Sequence, residues 1–224
     1  GLLQLAYSVR EAKRQGALDA VFPDTLLRQV TQEEASALAG YPLTSGGLYF
    51  PTAGWVAPKA LTAALLSHPN IEVRCSEEVI DLQHDAQEAW LLTLKKGEML
   101  QKMGTPLLIL ATAEKTATFP LLEKLPLHKS RGQITTIEGN LSPTLRCVVS
   151  GEGYIAPPLN NRYTFGATFR VEADNLHPTK EEEQENLSML AANSPQLKAA
   201  LLSGAKRISG RAAYRSNAKG YLPL

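Results

Sequence analysis

The octapeptide Gly151-Glu152-Gly153-Tyr154-Ile155-Ala156-Pro157-Pro158 fits the G-x-G-x-x-G/A pattern of a dinucleotide-binding turn. That pattern carries its chemistry only where a strand runs into a helix, because the helix N-terminus supplies the amides that face a pyrophosphate. Here Tyr154-Ile155-Ala156 is β-like and two prolines follow at once, so the helix is missing. The stretch reads as a hairpin turn. Around it, Gln133–Ile137, Leu145–Val149, Gly153–Ala156 and Arg162–Thr168 read as strands separated by Asn, Gly, Ser and Pro turns. Thr179-Lys180-Glu181-Glu182 is a capping box that opens a charged helix. Ser194-Pro195 starts a second helix with Ser as N-cap and Pro at N1, Gly204 ends it, and Arg207–Ser216 reads as a final strand. Strands followed by helices, without strict alternation, predict an α+β lobe on an antiparallel sheet.

The other half of the chain has a different texture. Residues 1–40 read as helical, with Leu2, Leu3, Leu5 and Ala6 on one apolar face and a capping box at Thr31-Gln32-Glu33-Glu34. Gly40 and Pro42 stop that pattern. Leu43–Pro58 is turn-rich, and Lys59–Ser67 reads as a helix of small residues. Ile71–Cys75, Val79–Gln83 and Trp90–Leu94 are short β-like runs, and Leu107–Ala111 reads as a buried strand. The order is that of an α/β segment with a small β-meander. The fold class expected for the whole is therefore α+β / α/β.

Composition excludes several function classes. At 224 residues and 44% hydrophobic, the chain is long and apolar enough for a real core. Its 23 basic and 22 acidic residues leave a net charge of +1, so no bulk positive field announces nucleic-acid binding. Cys75 and Cys147 are too few for a disulfide framework or a zinc site, and read as small buried hydrophobes in a reduced, cytoplasmic protein. No apolar run approaches the roughly 20 residues of a membrane span. His68, His84, His128 and His177 lack metal-ligand spacing and read as surface residues, so no metal is expected. The chain lacks an initiator Met and stops within an ordinary-looking Gly-Tyr-Leu-Pro segment, so both ends are expected to be cuts in something longer.

Several strings, taken in order, resemble one family. Gly46-Gly47-Leu48-Tyr49-Phe50-Pro51 and Gly54-Trp55-Val56-Ala57-Pro58 are similar to a turn and helix start in the middle of D-amino-acid oxidase-type (DAO) flavoenzymes. Leu108-Ile109-Leu110-Ala111-Thr112-Ala113 resembles the family's strand beside the flavin, and Arg131-Gly132-Gln133 its R-G-Q. Gly153-Tyr154-Ile155-Ala156-Pro157, Phe165-Gly166-Ala167-Thr168, and Gly210-Arg211 with Arg215 and Leu222-Pro223 complete the series. Within the family the likeness is greatest to a branch acting on modified wobble uridine in tRNA.

That resemblance implies an FAD-linked reductase substrate lobe plus a partial FAD/NAD(P)-binding-type crossover. It implies a helical part of the lobe at 1–50, a partial FAD-domain segment at 51–125, an antiparallel substrate-binding lobe at 126–213, and a return toward the FAD domain at 214–224. The activity implied is FAD-dependent oxidation of a secondary amine that bears a carboxymethyl group, with tRNA as partner. Arg215 is implied as the carboxylate-binding residue, since a planar, always-charged fork suits a carboxylate. Tyr154 is implied as a hydroxyl handle on the substrate, and Gly54, Trp55 and Thr112 as flavin neighbours. The chain departs from the pattern at Ala113, Lys219 and Gly220, and lacks the family's first and last FAD-binding glycine segments. The alternatives are a glycine- or sarcosine-oxidase-like enzyme acting on a small molecule, and a degenerate binding module without catalysis.

Overall fold

A computed structural model describes residues 1–84, 89–142, 144–171 and 175–218. Lys219, Gly220 and the Leu222-Pro223 pair lie outside the described residues. In chain order the elements are β1 (Leu2–Leu5), α1 (Val9–Asp19), β2 (Arg28–Val30), α2 (Gln32–Ala39), β3 (Gly47–Phe50), α3 (Pro58–Leu65), β4 (Glu78–His84), β5 (Trp90–Lys96) and β6 (Met99–Thr105). Two short 3-10 turns follow, at Ala113–Thr118 and Pro120–Leu122. Then come β7 (Leu127–Gly139), β8 (Val148–Ser150), β9 (Tyr154–Ile155), β10 (Arg162–Gly166), β11 (Arg170–Val171), α4 (Lys180–Asn193), α5 (Pro195–Ser203) and β12 (Ala205–Ala218). Two compact units result: Gly1–Trp55 with Arg131–Ala213, and Val56–Ser130 with Tyr214–Leu224, of which 214–218 are described.

The first unit is built on a sheet of order β11-β7-β10-β9-β8-β1-β3-β2, with β12 also paired to β7. It is mixed: β1 runs parallel to β8, while β1–β3, β8–β9, β9–β10 and β7–β10 are antiparallel. The expected hairpin is present, Ser150 facing Tyr154 with the Gly151 amide bonded to the Gly153 carbonyl at 2.7 Å. A Cβ at Gly151 would strike the Asn193 side chain, which is why the turn needs glycine there. One sheet face is dry. Leu3, Leu5, Ile137, Val149, Ile155, Tyr163 and Phe165 meet Leu187 and Leu190 of α4, Leu197 and Leu201 of α5, and Ala35 and Ala39 of α2. Each fully buried Leu, Ile, Val or Phe among them contributes about 1.5–3 kcal/mol.

Two helix starts form as their sequences predict, and a third forms without its expected reciprocal cap. Thr31 and Glu34 close a reciprocal capping box, at 3.2 and 2.9 Å, and α2 ends at Gly40 with φ +79°. Ser194 accepts the Leu197 amide at 3.1 Å, and Pro195 occupies N1. Thr179 accepts the Glu182 amide at 3.3 Å, but the Thr179 amide goes to Gln133 Oε1 instead of back to Glu182.

Other expectations give way. Leu2–Leu5 is a strand, with Leu3 and Leu5 buried and Leu2 and Gln4 half-exposed, because β3 and β8 flank it. Gly47 lies so close to the Gln4 carbonyl that any Cβ would collide, so the turn-rich segment holds β3. Ile71–Cys75 is irregular. In the second unit β4, β5 and β6 form an antiparallel meander, β6 following a turn at Gly97 (φ +59°). Leu107–Ala111 is not a strand. Leu108 and Leu110 pack on the small core of Leu82, Leu92, Leu94 and Phe119, while Leu107 and Ile109 are 73% and 82% exposed. The run alternates as a strand would but has no ladder partner among the described residues. Among those residues no helix is long and apolar enough to cross a membrane.

Candidate functional site

The sheet of the first unit has a second, open face, which the alternation of side chains builds. On β7, Gln133, Thr135 and Ile137 turn to the dry side, leaving Ile134, Thr136 and Glu138 half-exposed. On β10, Tyr163 and Phe165 go inward while Arg162 and Thr164 face out. On β9, Ile155 is buried and Tyr154 is 41% exposed. On β12, Ile208 packs on the core, which puts Arg207, Ser209 and Arg211 on the other side. The open face thus carries a phenol, hydroxyls and guanidinium groups. The Thr136 and Thr164 hydroxyls are 3.2 Å apart across the β7–β10 pair, and Glu138 stands 3.5 Å from Arg162.

On the dry side a buried polar network fastens β7 to the segment before α4. Arg131 is buried, and each of its three nitrogens has a partner: Nε donates to the Asn175 carbonyl (2.7 Å), one terminal nitrogen to the His177 carbonyl (2.7 Å), the other to the Glu182 carboxylate. Thr168 donates to Glu182 at 2.7 Å and accepts the Gln133 amide at 3.0 Å. Gln133 Nε2 donates to the Thr179 carbonyl (2.9 Å), and Asn186 Nδ2 donates to the Gln133 carbonyl (2.9 Å) and the Thr135 hydroxyl (3.1 Å). Burial works against the Glu182 carboxylate, but the hydrogen bonds from Thr168 and Arg131 outweigh it and hold its pKa below the ordinary glutamate value. The R-G-Q string is therefore an architectural clamp. Sequence reading missed that role; the available signal was a charged residue and an amide two apart on one strand face.

Tyr154 belongs to the first unit; Arg215, exposed on β12, belongs to the second. Neither the Tyr154 hydroxyl nor the Arg215 guanidinium has a polar partner among the described residues. Gly54 and Trp55 lie exposed in the loop before α3, with open space where a Gly54 Cβ would stand. Thr112 precedes the first 3-10 turn, its hydroxyl 2.9 Å from that of Thr116. Gly54 and Trp55 fall in the first unit and Thr112 in the second. The four histidines are exposed, and no group of three metal-ligating side chains exists among the described residues. Cys147 is buried, with its thiol pushed up to about 11 by burial. Cys75 is exposed, against expectation, because the β-like run that holds it forms no strand.

A family profile described as "DAO: FAD dependent oxidoreductase" matches residues 1–223. The chain belongs to the DAO family of FAD-dependent oxidoreductases. A curated relative, the tRNA 5-methylaminomethyl-2-thiouridine biosynthesis bifunctional protein MnmC of Pseudomonas entomophila, is 42% identical over 230 residues, covering 100% of this chain and 34% of its own length. The MnmC of Chromobacterium violaceum is 41% identical, again over 100% of this chain and 34% of its own. The chain thus spans about a third of the length of these relatives. Among solved structures, glycine oxidase from Geobacillus kaustophilus superposes with a TM-score of 0.82 at 20% identity, covering 100% of this chain and 60% of that one. That likeness is one of fold.

DAO enzymes work with FAD, and a dinucleotide needs glycines at a helix N-terminus to admit its pyrophosphate. The described residues do not build such a cradle. The only described match to the fingerprint is the β8–β9 hairpin. In α1, α2, α4 and α5 the side chains of Ser8, Thr31, Thr179 and Ser194 occupy the N-terminus by accepting the amide of the third helical residue, and α3 opens after Ala57 with a single nearby glycine, Gly54.

Proposed function

We propose that the polypeptide carrying this chain is an FAD-dependent oxidoreductase that removes the carboxymethyl group from 5-carboxymethylaminomethyl-(2-thio)uridine at the tRNA wobble position. The observation that carries this reading is the 42% identity, maintained along the entire chain, to relatives named for tRNA 5-methylaminomethyl-2-thiouridine biosynthesis. This chain's part is substrate handling. It contributes the lobe at 126–213 and the helical part at 1–50, while 51–125 and 214–224 belong to the flavin side. Arg215 would take the substrate carboxylate with its two-pronged guanidinium, an assignment supported by its exposure and its lack of a polar partner among the described residues. Tyr154 would offer a hydroxyl from the open face. Gly54, Trp55 and Thr112 would lie near the flavin. A reducing, cytoplasmic setting suits the two free cysteines.

The test is Arg215→Lys in the natural polypeptide. Lysine keeps the charge but loses the fork, so KM for the carboxylate-bearing substrate should rise about tenfold, the equivalent of one charge-assisted hydrogen bond. The melting temperature should not change. An unchanged KM would remove Arg215 from the substrate site.

A further inference from the structure

The open sheet face holds a hollow of about 280 Å³ lined by Thr136, Glu138, Arg162, Arg207 and Ser209. All five belong to the first unit and sit on three adjacent strands, β10, β7 and β12 in that order. Arg162 and Arg207 flank Glu138 from the two sides. Glu138 engages Arg162 alone, at 3.5 Å, and Arg207 has no partner among the described residues. Arg211 continues the same face of β12 four residues on, about 13 Å along the strand. A chain with a net charge of +1 therefore concentrates three guanidinium groups against one carboxylate on this face. The hollow's lining offers guanidinium and hydroxyl donors and no aromatic ring, which suits a phosphate and not a stacked base.

We infer that this face is a docking surface for the phosphodiester backbone of the tRNA, with Arg207 and Arg162 as its anchors and Thr136 and Ser209 as hydroxyl donors. The inference rests on the tRNA reading above and adds where the nucleic acid is held. Backbone contacts of this kind position a substrate without reading its sequence, leaving the modified base to be recognised elsewhere. Glu138 holds the Arg162 guanidinium beside the hollow at 3.5 Å, and its single charge is outweighed by Arg162 and Arg207 together.

The experiment compares tRNA binding by the natural polypeptide, its Arg162→Gln/Arg207→Gln variant and a charge-matched control, Arg10→Gln/Lys13→Gln on exposed positions of α1, across a salt series. Losing two phosphate contacts should flatten the log–log salt slope by about 1.4–1.8 and weaken binding roughly ten- to thirty-fold near 0.15 M salt. The control should keep the parent slope and affinity, and all three proteins should melt alike. Turnover of the free modified nucleoside, which carries no backbone, should be the same in all three. Parent-like binding by the Arg162→Gln/Arg207→Gln variant, or an equal loss in the control, overturns the docking surface alone. A parent that turns over the free nucleoside but does not bind tRNA overturns the tRNA reading, and this surface with it.

Discussion

The two units use similar apolar sequence to opposite effect. In the first, Leu3, Leu5, Tyr163 and Phe165 lie at 2% exposure or less, because a sheet face and three helices close over them. In the second, only Leu82, Leu92, Leu94 and Phe119 form a buried cluster among the described residues. There α3 buries none of its residues, and Leu107 and Ile109 stand in the open. An apolar run thus states what a segment is able to bury, and burial itself depends on what packs against it. The relatives run to about three times this chain's length.

The largest expected effect breaks the first unit where it is most tightly tied. Arg131→Met leaves Glu182 charged, buried and short of its main partner, and should cost about 3–5 kcal/mol of stability in denaturant unfolding. The pair also carries a pH signature. The Glu182 pKa is lowered in the folded state, so its contribution is complete above the ordinary glutamate pKa of about 4.3 and is lost as pH falls through the lowered value. Below pH 5, Glu182→Gln should therefore show a shallower loss of stability than the parent.

A second comparison sets matched substitutions against each other. Leu5→Ala in the first unit should cost about 2–5 kcal/mol, whereas Ile109→Ala in the second should fall within about 0.5 kcal/mol of the parent. Equal losses would mean that Ile109 is covered in solution. Smaller still, Thr31→Ala should remove about 1 kcal/mol by freeing the Glu34 amide at the start of α2. Thiol chemistry makes the same contrast without altering stability: a disulfide reagent should modify exposed Cys75 at once, and buried Cys147 only after unfolding.

What was legible in the sequence was local. The Gly151–Gly153 turn, the Thr31 box and the Ser194-Pro195 start each satisfy their backbone within a few residues, so their letters suffice. β1 was not legible, because it exists through pairing with residues more than 40 positions away, nor was β3, which is held between β1 and β2. β6 was hidden for another reason, since its Gln101, Lys102 and Gly104 lack a strand composition and are held by β5 alone. At the site, alternation along β9 suffices to turn Tyr154 outward. The Arg131–Glu182 clamp spans 51 residues, and the Arg162–Arg207 hollow needs three strands side by side, so neither leaves a trace in linear spacing.

The most direct test follows the nucleoside. The natural polypeptide, loaded with FAD, is incubated with tRNA bearing 5-carboxymethylaminomethyl-2-thiouridine, and the digested nucleosides are weighed by mass spectrometry. That nucleoside should decline as 5-aminomethyl-2-thiouridine rises in step. Unchanged tRNA, from a preparation that oxidises free glycine or sarcosine, would contradict it.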